Sequence, residues 1–244
     1  MKRNQSGFTL IEIAIVLVII GLLLGGVLKG QELINSAKVK NLATDFRNIP
    51  VYIYGYQDKF KALPGDDAQV LAHLGPTSGA TLATGPATCN NAAAGPCTGN
   101  GVIDGSWLDT PATAAGNETV LFWQHVRLAG LATGSTTVTD PSYMPTNAAG
   151  GTIGLQSGTN NAAQSPVLSP AVGANPATPI RGTYIICSSG ILGKFVKQLD
   201  IQMDDGNTST GSMMAVPVGS PLNTVATVTT AIDDAASYNV CMGV

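Results

Sequence analysis

From Phe8 to Leu28 the chain is an apolar run whose only charge is Glu12. At ~1.5 Å per residue such a run, read as a helix, crosses a hydrocarbon core of about 30 Å. Beyond it, Leu42, Phe46, Ile49, Ile53, Tyr56 and Phe60 recur at alternating intervals of four and three, the stripe of a helix that docks one face on a domain. Pro50 falls inside this stripe, where it removes one backbone bond and kinks or interrupts the axis. The string Lys61-Ala62-Leu63-Pro64-Gly65-Asp66-Asp67 carries the stop signals. The pattern therefore predicts a helix from Phe8 to about Lys59, roughly 75 to 80 Å long. Further on, Asn117 to Leu131 reads as an amphipathic helix with Val120, Leu121, Trp123, Val126, Leu128 and Leu131 on its apolar face and Asn117 as its cap. Gly182 to Cys187 reads as a buried strand, Ile191 to Met203 as a helix or strand, and Thr224 to Ile232 as the last strand. The fold class is α+β: a long N-terminal helix packed on a loop-rich C-terminal domain with a small antiparallel β-sheet.

Composition sharpens this picture. Gly, Ala, Thr, Asn and Pro are abundant and aromatics make up 5% of the chain, as expected of a domain with a modest core. Between Arg127 and Arg181 the only charge is Asp140, so this stretch reads as long surface loops, partly disordered or glycosylated. With 12 basic and 15 acidic side chains, the net charge of −3 provides no field for neutralising phosphates, which argues against nucleic-acid binding. Lys2 and Arg3 before the apolar run place that end in the cytoplasm and the remainder outside, although Lys29, Lys38 and Lys40 on the far side reduce the asymmetry. A cleaved secretory signal would need a small-residue site after the run, and Gly25-Gly26-Val27 fits one poorly.

The four cysteines form no CxxC pair and have no neighbouring His, so zinc spacing is absent. Behind a membrane-targeting segment they read as disulfides, with buried free thiols as the alternative. Of three connectivities, none of which sequence alone selects, the expected one joins Cys89 to Cys97 and Cys187 to Cys241. Asn100-Gly101-Val102-Ile103-Asp104 is similar to the middle of a calcium loop, but Pro96 and Trp107 stand where its terminal carboxylates would be. An ordinary Gly/Asn turn is the competing reading. Asp204-Asp205-Gly206 could join a cation site, and an exposed turn is the commoner use of such a string. His73 and His125 have no G-x-S-x-G, H-E-x-x-H or phosphate loop to accompany them, so no catalytic constellation is apparent and no cofactor is required.

The string Gly7-Phe8-Thr9-Leu10-Ile11-Glu12, set between a basic leader and the apolar run, resembles the start of type IV pilins and type II secretion pseudopilins. The resemblance implies that a prepilin peptidase cuts between Gly7 and Phe8 and methylates Phe8. It also implies that Glu12 serves assembly by pairing with the N-terminus of a neighbouring subunit. Its domains are then a leader (1–7), a transmembrane and assembly helix (8–28), a periplasmic continuation (29–60) and a globular pilin-like domain (61–244). Implied partners are other pilin subunits, the peptidase, an inner-membrane assembly platform and the inner membrane itself. The implied location is the inner membrane with the C-terminal domain periplasmic, then a pilus or pseudopilus. Some pseudopilins hold calcium, which keeps Asn100 and Asp104 as candidate ligands. The strings LPGDD, FWQHVRLAGL and MDDG resemble landmarks of a subgroup of large prepilin-like proteins. Lys29 stands where many major pilins have Pro, which with the chain's length favours a minor subunit or pseudopilin. The competing functions are a tethered binding module or adhesin that never polymerises, and an anchored enzyme.

Overall fold

A computed structural model of the chain describes residues 10–86, 89, 97–173 and 175–244. Helix α1, Leu10–Phe60, is 51 residues and about 77 Å long, and it runs through Pro50 without a break. Proline there forfeits one intrahelical bond, but Ile49 and Ile53 on either side are buried, so tertiary packing holds the helix across the gap. Short helices α2 (Val70–Leu74) and α3 (Pro111–Ala114) precede α4, Glu118–Leu128. Strands β1 (Ile153–Ser157), β2 (Val167–Ser169), β3 (Thr178–Pro179) and β4 (Tyr184–Leu192) follow, then helix α5 (Gly193–Met203). Strands β5 (Met213–Pro217), β6 (Thr224–Val225) and β7 (Ser237–Gly243) complete the chain.

The main sheet is antiparallel throughout, in the order β1-β4-β7-β5. Its side chains alternate with the two-residue period of a strand. Tyr184, Ile186, Ile191, Met213, Ala215, Tyr238, Val240 and Met242 join one core with the helices. Ile185, Cys187, Met214, Val216 and Cys241 face the other way and pack with Trp107, Val167 and Ile180. Without correction Ile191 would fall on the wrong side, since it has the same parity as Ile185 and Cys187. A bulge between Ser188 and Ile191, with Gly190 at φ 73°, inserts the residue that returns Ile191 to the helix side. The second core is covered by a small sheet, β3-β2-β6.

Helix α1 docks only through its second half. Val39, Leu42, Ala43, Phe46, Ile49, Ile53 and Tyr56 are buried against the sheet, α4 and α5, matching the predicted stripe except for Phe60 at the half-buried end. Cys187 and Cys241 lie directly opposite one another on β4 and β7 and are joined by a disulfide. Closing a 54-residue separation in the unfolded chain contributes about 4 kcal/mol on the chain-entropy account. Cys89 and Cys97 form the other disulfide across a separation of 8 residues.

Three sequence expectations change. The stretch from Arg127 to Arg181 is built into the domain: it contains β1, β2 and β3, and Tyr143, Leu155 and Val167 are fully buried. Its scarcity of charge reflects this burial. Thr224 to Ile232 contributes the two-residue β6 and a 3-10 turn at Thr229–Ala231, whereas the last strand is β7, whose Asn239 and Gly243 hid it from a propensity reading. Helix α4 is buried all round, from Glu118 to Arg127, so it is not amphipathic in its setting. Asn117 occupies its N-cap position, but its side chain donates to Asp109 Oδ2 (2.8 Å) and makes no cap bond.

The docking seam predicts a sharp contrast along α1. Phe46→Ala should lower unfolding free energy by about 3 to 5 kcal/mol, whereas Val51→Ala, at a site 64% exposed, should change it by less than about 0.5 kcal/mol. Denaturant unfolding of the full chain in detergent, followed by tryptophan fluorescence, measures both.

Candidate functional site

The first half of α1 is an apolar surface the domain leaves uncovered. Leu10, Ile11, Leu17, Val18, Leu22, Leu23, Leu24 and Leu28 are all more than half exposed, and the segment long and apolar enough to cross a membrane has none of its residues buried. Gly21, Gly25, Gly26 and Gly30 form notches on this segment: a Cβ placed at any of them would meet nothing within 4 Å. Small residues on a bare apolar helix let a neighbouring helix approach closely. An exposed pair, Lys29 Nζ to Glu32 Oε2 at 2.7 Å, marks where the apolar run ends. Glu12 lies in the first turn of α1 within the apolar segment, while Gly7 and Phe8, the expected cleavage pair, lie outside the described residues.

At the opposite end of α1 the chain leaves the helix with Lys61 at φ 55° and enters the Leu63-Pro64-Gly65-Asp66-Asp67 turn. Gly65, Asp66 and Asp67 each have a distinct structural task. Gly65, at φ 93°, lies so close to Glu118 that a Cβ would sit 2.5 Å from its carbonyl oxygen, and its own N–H donates to His125 Nδ1 at 2.9 Å. His125 is fully buried, and its Nε2–H donates to Thr81 O at 2.9 Å, so the ring is neutral with both nitrogens satisfied; burial pushes its pKa down. Asp66 accepts the backbone amides of Gly99, Asn100 (3.1 Å) and Gly101 (2.7 Å). Asp67 accepts Tyr56 Oη–H at 2.8 Å and contacts His73 Nδ1 at 2.7 Å through the same oxygen.

Next to this turn is an open depression of about 710 Å³, lined by Phe60, Asp67, His73 and Tyr184 among others. The His73 ring stacks on Phe60 with centroids 5.4 Å apart. An Asp–His pair resembles part of a hydrolytic triad, but among the described residues the lining contains no Ser, Thr or Cys to act as nucleophile. The pair's evident work is to tie the end of α1 to α2.

The sequence candidates Asn100 and Asp104 do come together. Asn100 Nδ2 donates to Asp104 Oδ2 at 2.7 Å while Asn100 Oδ1 accepts Val102 N–H at 2.8 Å, so both ends of the amide serve the turn. Asp104 N–H donates to Glu118 Oε2 at 2.7 Å. Glu118, which sequence reasoning missed, is fully buried beside Asp66 and Asp104. Burial, and then the negative charges of Asp66 and Asp104, push its carboxyl up to about 9, so it is a neutral acid at pH 7. Gln124 and Arg127 were also missed as organisers. Gln124 binds Thr81 N–H and donates to Gly79 O and Thr136 O, and Arg127 Nη1 donates to Ser135 O (2.8 Å) and Tyr143 O (2.7 Å).

Glu118 sets a pH dependence of known sign. Its pKa is raised in the fold from an ordinary 4.5, so the stability it contributes is fully present below that value and is lost as pH rises toward 9. Glu118→Gln keeps the shape without the titration. Between pH 5 and 8 its melting temperature should fall less than the wild type's, by a few degrees, as read by circular dichroism.

Residues 2–28 match the family described as the prokaryotic N-terminal methylation motif. No curated protein and no solved structure matches the chain. The motif ends where the bare apolar segment of α1 ends, and the rest of that helix is held by an α+β head. The chain thus carries at residues 2–28 the signature of type IV pilins and pseudopilins, on a long helix and antiparallel sheet of pilin-like form.

Proposed function

We propose that the chain is a structural subunit of an extracytoplasmic filament, held in the inner membrane by its N-terminal helix until assembly. The observation that carries this reading is the continuity of the methylation motif with a helix half whose apolar face its own domain does not cover. Water does not tolerate so large a bare surface. A bilayer covers it before assembly and neighbouring N-terminal helices cover it afterwards, with the glycine notches admitting close contact. The head then lies on the periplasmic side, where its two disulfides are at home.

In this reading a prepilin peptidase cuts between Gly7 and Phe8 and methylates the new N-terminus. Glu12 becomes the fifth residue of the mature chain and pairs with the terminal amine of a neighbour. A carboxylate in hydrocarbon costs a few kcal/mol, so its presence calls for a use. The elaborate head and Lys29 favour a minor pilin or pseudopilin over a bulk subunit.

Intact mass measurement of the mature protein should find a chain beginning at N-methylated Phe8; a Met1 start would overturn the assignment. Glu12→Ala should insert in the membrane at wild-type levels yet be lost from sheared filament fractions by at least about tenfold, the scale expected if a pairing worth more than 1.4 kcal/mol is removed. Quantitative immunoblotting of membrane and filament fractions reads both.

A further inference from the structure

Helix α4 carries a buried cation with no carboxylate beside it. Arg127 is 8% exposed. Its guanidinium is fixed by backbone carbonyls: Nε donates to Thr133 O at 3.2 Å, and Nη1 to Ser135 O (2.8 Å) and Tyr143 O (2.7 Å). The rings of Trp123 and Tyr143 flank it, with Cζ 5.8 Å and 5.1 Å from their centroids. The N–H groups on Nη2 have no hydrogen bond among the described residues, and Nη2 is not sealed from solvent. The described ion pairs are Lys29–Glu32, Lys61–Asp58, His73–Asp67 and Lys197–Asp234, and none includes Arg127.

Arg127 lines a depression of about 150 Å³ between α1 and α4, together with Asp45, Tyr52, Trp123, Thr133 and Thr146 among others. Asp45, on α1, is half-buried, and that burial raises its carboxyl. It too takes part in none of the described ion pairs, so its oxygens lie more than 4 Å from the guanidinium nitrogens. A cation and an acid that share one small cavity without touching are both undercompensated. A simple anion would satisfy Arg127 and be repelled by Asp45, and a simple cation would do the reverse. A molecule bearing both charges satisfies both groups.

We propose that this depression binds a small zwitterion, a free α-amino acid of glycine or alanine size, with its carboxylate on Arg127 Nη2 and its ammonium on Asp45. The size follows from the volume, which is well below the ~300 to 1,000 Å³ of pockets for drug-sized ligands. The carbonyls and rings that fix Arg127 hold it ready, so little ordering opposes binding. The bound molecule bridges α1 and α4 beside the docking seam. The site lies wholly in the head and does not depend on whether the chain polymerises.

Isothermal titration of the full chain in non-ionic detergent with glycine, and with L-alanine, should show a saturable site with a dissociation constant between roughly 10 µM and 1 mM, the range open to so few ligand atoms. Acetate and glycinamide each carry only one of the two charges, and each should bind at least about tenfold more weakly than glycine. Asp45→Asn removes no described hydrogen bond, so it should melt within about 2 °C of the wild type. It should lose glycine affinity by at least about tenfold while its affinity for acetate does not fall. The ligand comparisons use the wild type alone and stand even if the variant does not fold. No binding of either amino acid to the wild type, acetate or glycinamide binding as tightly as glycine, or undiminished glycine affinity in Asp45→Asn would overturn the proposal.

Discussion

The second half of α1 lies in a seam between the sheet and helices α4 and α5, and that burial fixes everything else about the molecule. Phe46, Ile49 and Ile53 fill the helix-side core, while the sheet's other face is closed by Trp107, Ile180 and the small sheet. Because one rigid helix serves both halves, the position of the head relative to the apolar segment is set by the register of a single stripe. Pro50 is tolerated within it because packing supplies what the missing backbone bond does not. The end of the stripe is tied by Tyr56, whose hydroxyl reaches Asp67 in the turn that leaves the helix.

Helix α4 is the second organiser, and its chemistry is unlike that of α1. A short helix buried all round would ordinarily be apolar all round, yet α4 presents Glu118, Thr119, Gln124, His125 and Arg127 to the interior. Apart from Thr119, which donates to the Asp109 carboxylate, each polar head is turned to backbone that has no sheet or helix to satisfy it. His125 holds Gly65 and Thr81, Gln124 holds Gly79, Thr81 and Thr136, and Arg127 gathers the carbonyls of Thr133, Ser135 and Tyr143. The loops on both sides therefore have defined paths despite their Gly- and Thr-rich composition. A fully buried His with two backbone partners is a structural fastening, and its neutrality follows from that arrangement.

Periodic features were readable in advance for a physical reason: the α1 stripe and the apolar segment repeat a signal that no single substitution obscures. Strand β4 was partly readable from its Tyr-Ile-Ile-Cys run. Strand β7 was not, because Ser237, Asn239 and Gly243 are weak strand formers kept in place by partners on both sides. The Thr- and Val-rich segment before it has the opposite character, with good local propensity and little to pair with. Among the buried acids Asp104 was singled out in advance, but most were not. Asp66, Glu118 and Asp200 look in sequence like ordinary turn and helix acids, and only the tertiary fold decides that they are buried. The paired Asp-Asp strings after α1 and after α5 did not separate the cases either: Asp66 and Asp67 are both buried, whereas Asp205 is exposed.

The buried carboxyl groups of the head show how this chain handles charge away from water, and they give a standard against which Glu12 can be weighed. Asp66 is stabilised by three amides, Asp67 by a tyrosine hydroxyl and an imidazole, and Glu118 by retaining its proton. These solutions come from groups that the head itself brings into place. Glu12 lies some 40 Å of helix from Val39, the first buried residue of α1, so the head can contribute nothing to it. Beyond its own chain, Glu12 meets whatever covers the bare half of α1, first lipid and then, on the filament reading, other helices. On that reading the surroundings of Glu12 change when the subunit passes from lipid to its neighbours, whereas those of the head acids do not.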